Sequence, residues 1–289
     1  MIDFKQILFP VDMSEQDRQA APFVKAMARR FGSEIVMLYV EDLLFPAYTP
    51  TEYLTPTAFE IAEQVQEQRR AEFQSFLTSE FAGARFQRTL VEGDAAVQIV
   101  AYAKKNEIGL IMLPTHGYGP FRRFLLGSVT AKVLHDFAGP VWTGVHTLEL
   151  LSHDPERCER LLCAVDIDSR DARVVRWAAE FAGQQHCDVQ LVHAIQGAKS
   201  TDDDRDRSFR EFLFKFAHER ISELQKEAGI SFPVTLRGGK PEHIVHDVAQ
   251  DLKADLVVIG RGDLHHPLGR LRTHAYSIIR ESACPVISV

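Results

Sequence analysis

Gly117, Gly127 and Ser128 are the residues whose types and spacing best suit the capture of a small anion. The stretch opens at Pro114-Thr115-His116-Gly117, directly after the apolar run Leu110-Ile111-Met112-Leu113, and reaches Gly127-Ser128 after nine intervening residues. That order predicts a strand, a loop and then a helix. Glycine lets backbone amides approach a phosphate-like group with no side chain in the way. Free amides at a helix start favour negative charge by about 0.3–1 kcal/mol per interaction. Ser128 adds a hydroxyl donor, and Val129, Val133, Leu134 and Phe137 supply the apolar side that anchors the helix. The same residues also describe a plain glycine-rich turn with Ser128 as helix N-cap. His116 either touches the anion or steadies the turn. Arg122 and Arg123 either neutralise a polyphosphate or stand as exposed loop cations.

A second polar group lies at the end of another apolar run, Ile7-Leu8-Phe9-Pro10-Val11-Asp12. Asp12 could accept hydrogen bonds from a ligand amino group or hydroxyl, or cap a helix starting near Ser14 or Glu15. Neither complete nucleotide signature is present. Gly239-Lys240-Pro241 does not replace GxxxxGK[ST], and no GxGxxG follows the first strand, which argues against NAD or FAD. Phosphoryl transfer lacks a Walker-type lysine and a matching magnesium-binding acid, leaving at most slow ATP hydrolysis with Mg2+ polarising the terminal phosphate. A GxSxG nucleophile elbow is also missing. His243, His246, His265, His266 and His274 raise a metal reading for the second half, but no cysteine or acid completes a recognised spacing. The run Asp202-Asp203-Asp204 reads as solvated loop or helix start. Cys158, Cys163, Cys187 and Cys284 form no CxxC pair. Cys163 and Cys284, beside strand-like runs, are expected to be buried, whereas Cys158 near the linker could be exposed, with nothing nearby to mark a nucleophile.

The elements that would position these groups occur twice. Leu161-Leu162-Cys163-Ala164-Val165-Asp166 repeats the opening strand and its aspartate. A helical face made by Ala20, Phe23, Val24, Met27, Ala28 and Phe31 ends near Gly32; Val174, Trp177, Ala178 and Phe181 form its counterpart before Gly183. Pro22 is expected early in the first of these helices or at a kink. Second strands are predicted over Glu34–Val40 and Asp188–Ala194. A helix from about Phe59 to Glu80 matches one carrying Phe209, Phe212, Leu213, Phe216, Ala217 and Leu224, a stripe expected to be core or domain interface. Third strands lead to Gly93-Asp94 and Gly238-Gly239; fourth strands are Leu110–Leu113 and Leu256–Ile259; closing strands begin near Val141 and Val286. Such βα alternation predicts two doubly wound parallel sheets flanked by helices, over residues 1–147 and 157–289, joined by a short linker.

With 289 residues, 45% apolar and 25% charged, the chain has room for two well-filled cores. Its net charge of -7 argues against a general nucleic-acid or anionic-membrane surface. The first residues lack a signal-peptide pattern and no apolar run suits a membrane span, so a cytoplasmic location is expected.

The doubled pattern and the spaced loop resemble a tandem member of the universal stress protein family, over almost the whole chain. Nucleotide-binding members carry a G-x2-G-x9-G-[ST] loop after the fourth strand. The matching positions here are Pro114, Gly117, Gly127 and Ser128, so proline replaces the first glycine. The resemblance implies sheet order 3-2-1-4-5 and pairing through the last strands, which a tandem chain can make internally. It places the adenine side at Val11 and Asp12, and near the backbone of Tyr39 and Val40. ATP or AMP, with or without Mg2+, is the implied ligand, in a stress-response regulator. A regulatory protein partner and association of two such chains stay open, as does a rival reading as a structural or interaction module that binds no nucleotide. In the second half Gly260-Arg261-Gly262 and Arg272-Thr273 replace the loop glycines and serine, so that half is expected not to bind ATP in the family manner.

Overall fold

The computed structural model describes residues 1–41, 55–114, 126–144, 153–167, 172–196, 204–261 and 273–289. The first half comprises β1 (Gln6–Val11), α1 (Glu15–Phe31), β2 (Glu34–Glu41), α2 (Pro56–Ser75), β3 (Phe86–Glu92), α3 (Ala95–Lys105), β4 (Leu110–Leu113), α4 (Ser128–Asp136) and β5 (Val141–Thr143). The second comprises β6 (Arg160–Ala164), α5 (Arg173–Gln185), β7 (Asp188–Ile195), α6 (Asp204–Ala228), β8 (Val234–Gly238), α7 (Pro241–Leu252), β9 (Leu256–Ile259), α8 (Thr273–Glu281) and β10 (Val286–Ser288). All strands join one sheet in the order β3-β2-β1-β4-β5-β10-β9-β6-β7-β8. Each half therefore has the expected 3-2-1-4-5 order. The final strands meet antiparallel, Val141 opposite Ser288, Trp142 opposite Ile287 and Thr143 opposite Val286.

Near-continuous apolar strands are what a sheet covered on both faces requires. Alternate β1 residues divide between two cores: Ile7, Phe9 and Val11 face the α1 side, whereas Leu8 packs with α3 and α4 residues. On the α1 side the core runs through both halves, with Phe23 against Trp142 and Phe31 against Phe181, each pair 5.8 Å between ring centroids.

The helices depart from the sequence expectation in four respects. The second helix starts at Pro56, capped by the Thr55 side chain, and stops at Ser75 instead of near Glu80. Phe76, Leu77 and Phe81 are drawn into the core, and Leu77 adopts a left-handed φ of 55° that no helix can continue. Pro22 sits roughly two turns inside α1, past the first turn. Gly183 lies within α5, which ends at left-handed His186. The fourth difference concerns packing: Phe209, Phe212 and Phe216 are 58%, 60% and 45% exposed, and only farther along α6 do Ala217, Ile221 and Leu224 enter the core. Since α6 is 25 residues long and β7 only 8, the helix outruns the sheet that could cover it.

The seam is also held by a side chain from the second half. Arg261, 2% exposed, donates from Nη1 to the carbonyls of Leu134 (2.8 Å) and Phe137 (3.0 Å), and from Nη2 to that of Gly139. These carbonyls lie at and beyond the end of α4, where helix acceptors lack intrahelical partners and the dipole favours a cation. Tyr276 of α8 adds a bond from its hydroxyl to the Ala131 carbonyl at 3.1 Å. Replacing Arg261 by methionine keeps an apolar stem and strands the three acceptors. Arg261→Met is expected to lower unfolding stability by about 3 kcal/mol, measured by urea denaturation. A loss below about 0.5 kcal/mol, the range of an ordinary surface substitution, would contradict this role.

Candidate functional site

In the first half the strand order reverses between β1 and β4, which are parallel neighbours. Crossovers leave this point in opposite directions, which in an open α/β sheet is where a ligand crevice forms, beyond the carboxyl ends of the strands. Asp12 directly follows β1, and Pro114 directly follows β4. Val11 is in register with Tyr39, which brings the ends of β1 and β2 level. The Tyr39 ring is buried against Phe73, with centroids 5.4 Å apart, and Val40 packs into the core on the opposite face. Tyr39 thus has its backbone, and not its ring, to offer the crevice.

The turn after β1 is built more tightly than the sequence reading foresaw. Ser14, not Asp12, is the N-cap of α1, and it forms a reciprocal capping box with Asp17. Asp17 Oδ2 accepts from the amides of Asp12 (2.9 Å) and Ser14 (3.2 Å), and the Ser14 amide also donates to Asp12 Oδ1 at 3.0 Å. Asp17 is 1% exposed, whereas Asp12 is exposed and commits one carboxylate oxygen to this turn. Burial, first, and the neighbouring Asp12 charge, second, raise the Asp17 carboxyl well above the usual aspartate range. Asp17 is therefore the residue that positions Asp12. The Ser14-x-x-Asp17 spacing carried the signal for it.

On the opposite side of the crevice, α4 begins at Ser128 with Gly127 as N-cap and no side-chain hydrogen bond to its first turn. This replaces the expectation of a Ser128 cap. Ser128 is exposed, and Val129 is half-buried against the core. The Thr130 hydroxyl donates to the Pro114 carbonyl at 3.3 Å, tying the helix start to the end of β4. Lys132 in turn lies 3.6 Å from Asp94, the N-cap of α3. His116, Gly117, Arg122 and Arg123 fall in 115–125, outside the described residues.

The rim beyond β2 carries a group that sequence reasoning missed. Glu41, 2% exposed at the end of β2, accepts from Arg70 Nε at 3.1 and 3.0 Å and from Nη2 at 2.5 Å; Nη2 also reaches Glu92 at 3.2 Å. These contacts raise the Arg70 guanidinium above its ordinary value, with the Glu41 hydrogen bonds the largest cause. The pair clasps α2 over the ends of β2 and β3.

The second half differs at the corresponding place. Gly260 follows β9 as Pro114 follows β4, but an added Cβ there would lie 2.6 Å from Val174 Cγ2. The next side chain, Arg261, turns into the seam. His243 and His246 engage Glu281, through its carboxylate at 3.5 Å and its carbonyl at 2.6 Å, and among the described residues no cluster of three or more His, Cys, Asp or Glu could hold a metal. His265 and His266 are outside the described residues, as is Arg272. Among the described residues no helix is long and apolar enough to cross a membrane.

Two doubly wound units joined in one sheet define a tandem α/β protein. A family model described as the universal stress protein family matches residues 3–143 and again 158–289, and the chain belongs to that family. A universal stress protein of Methanocaldococcus jannaschii is 28% identical over 138 residues, 48% of this chain and 80% of its own length. One from Methanothermobacter thermautotrophicus is 30% identical over 132 residues, 46% of this chain and 89% of its own. Among solved structures, a universal stress protein from Archaeoglobus fulgidus shares the fold over 99% of this chain and 96% of its own, with TM-score 0.63 and 23% identity. A functionally unknown protein, PA1789, from Pseudomonas aeruginosa shares it over 99% of this chain and 92% of its own, with TM-score 0.66 and 18% identity.

The raised Asp17 carboxyl has a consequence for stability. Its folded value lies above the unfolded one, so its contribution is complete below the ordinary aspartate range and is lost as pH rises through the raised value. Asp17→Asn keeps an acceptor oxygen for the two amides and has no proton to lose. Urea unfolding at a series of pH values from about 4 to 8 is expected to show the variant gaining stability relative to the native chain as pH rises. A pH-independent difference between the two would contradict the assignment.

Proposed function

We propose that this stress-response protein binds an adenine nucleotide, ATP or AMP, in the first-half crevice and uses the second half as scaffold. The observation that carries this reading is the asymmetry of the two strand-reversal points. An exposed aspartate follows the first strand in both halves, Asp12 and Asp166, and the first half adds a helix start without a side-chain cap beyond the neighbouring β4. In the second half Val174 covers Gly260, and Arg261 is committed to α4.

In this reading Asp12 and the backbone near Val11, Tyr39 and Val40 take the adenine and ribose. The amides from Gly127 to Val129, the Ser128 hydroxyl, Gly117 and His116 take the phosphates, and Arg122 and Arg123 neutralise them with Mg2+ where it is bound. Pro114 removes one donor at the ribose end, while the Thr130 bond to its carbonyl keeps the later amides close to the strand. Binding would act on domain packing, because α4, whose first turn holds the phosphate, ends in the carbonyls that Arg261 grips. A second reading, a protein-interaction module, draws on the exposed Phe209, Phe212 and Phe216 of α6.

Gly127 has φ −57° and ψ 144°, which any residue can adopt, so a side chain there tests the space and not the backbone. Calorimetric titration is expected to give one ATP or AMP site per chain, weakened at least about tenfold, some 1.4 kcal/mol, by Gly127→Lys. Undiminished affinity in the variant, or two equivalent sites per chain, would contradict the crevice. No binding by the native chain would favour the interaction module.

A further inference from the structure

Two of the four cysteines, far apart in sequence, meet beside the seam. Cys158 lies just before β6, and Cys187 lies between α5 and β7. Their sulfurs are 3.1 Å apart, and the Cys187 thiol reaches the Cys158 carbonyl at 2.7 Å. Both are partly exposed, unlike Cys163 and Cys284, which are buried in the cores. Cys158 also lines a cleft of about 30 Å³ between the two halves, together with Arg30, Trp142, His153 and Asp255. That is room for a molecule of water or peroxide size.

We infer that Cys158 and Cys187 are an oxidant-reactive dithiol, in which a hydroperoxide entering the seam cleft is reduced and an intrachain disulfide is formed. The expected disulfide separation of about 2.05 Å requires the sulfurs to close by roughly one ångström, a movement that side-chain rotation near an irregular segment can supply.

The roles of the two sulfurs differ. The hydrogen-bonding contact with the Cys187 sulfur, and secondarily the Arg30 charge, hold the Cys158 thiol below its ordinary range despite burial and Asp255. The same hydrogen bond, followed by burial, pushes the Cys187 thiol up. Burial alone pushes Cys163 up to about 12, and it is the main cause of the rise of Cys284 to about 12. Cys158, and not Cys187, lines the cleft beside Arg30, and the thiolate is the nucleophile, so Cys158 attacks first. A sulfur–oxygen bond forms as the peroxide O–O bond breaks; the departing oxygen takes up the proton released by Cys158, leaving a sulfenic acid on that residue. Cys187 then loses its proton and attacks the Cys158 sulfur. The sulfur–sulfur bond forms, the sulfur–oxygen bond breaks, and the leaving hydroxide departs as water with the Cys187 proton. Two electrons pass from the two sulfurs to the peroxide, which yields two waters from hydrogen peroxide, or one water and an alcohol from an organic hydroperoxide.

The test exposes the native, reduced full-length chain to hydrogen peroxide, removes the oxidant, alkylates the free thiols in denaturant at neutral pH and maps the peptides by mass spectrometry. The expected product is a monomer lighter by two hydrogens, with the Cys158 and Cys187 peptides linked, reversible by a dithiol reductant, and with Cys163 and Cys284 still alkylated. In Cys187→Ser, dimedone should trap a sulfenic acid at Cys158; in Cys158→Ser, labelling of Cys187 should be at least about tenfold slower. Full alkylation of Cys158 and Cys187 after peroxide, or a linkage joining two chains, would overturn the inference. So would faster trapping at Cys187 than at Cys158. Should a variant fail to fold, the peptide map of the native chain decides by itself.

Discussion

Between β5 and β10 only three residue pairs, Val141 with Ser288, Trp142 with Ile287 and Thr143 with Val286, join the two halves of the sheet. Each strand would otherwise present an open edge of unpaired amides and carbonyls. Pairing them antiparallel covers both edges at once and continues a single layer through ten strands. The polar side chains here serve the same end: the Thr143 hydroxyl donates to the Val286 carbonyl, and the Ser288 hydroxyl to that of Val141, each at 3.3 Å. With the edges consumed in this way, the chain builds from two repeats the arrangement that two separate domains would otherwise assemble.

That seam makes the two repeats unequal. The position after β9 lies close to the seam, and Arg261 there uses its donors to finish α4 of the first half. A side chain so committed cannot also line an anion cradle on its own domain. The first half carries Thr115 at the corresponding step and retains Gly127 and Ser128 at the start of α4. One helix is therefore gripped at its carboxyl end by the second half and left without a side-chain cap at its amino end.

Features encoded by short-range periodicity were legible in the sequence. The apolar runs that became β1, β4, β6 and β9, the repeat, the strand order implied by the resemblance and the internal pairing of the last strands all appear in the fold. So do the burial of Cys163 and Cys284 and the position of Asp12 at the end of β1. What escaped depends on partners distant in sequence or on local competition. Cys158 and Cys187 are 29 residues apart, and Arg261 is more than 120 residues from the carbonyls it binds. The apolar stripe of α6 has helical spacing, but spacing alone does not say how far the sheet beneath it extends. Asp17 is readable as a capping-box acid only once Ser14 is the cap, and the reading of Asp12 as the cap hid it. The core of the candidate loop, 115–125, lies outside the described residues, so Gly117 and the two arginines rest on sequence alone.

Hydrogen exchange followed by mass spectrometry tests most directly whether the repeats divide ligand binding from scaffolding. With saturating ATP or AMP, slowed exchange is expected in peptides covering residues 11–17 and 126–131, while those covering 165–167 and 259–261 exchange as in the free chain. Equal protection of both repeats, or protection confined to the second, would contradict the account.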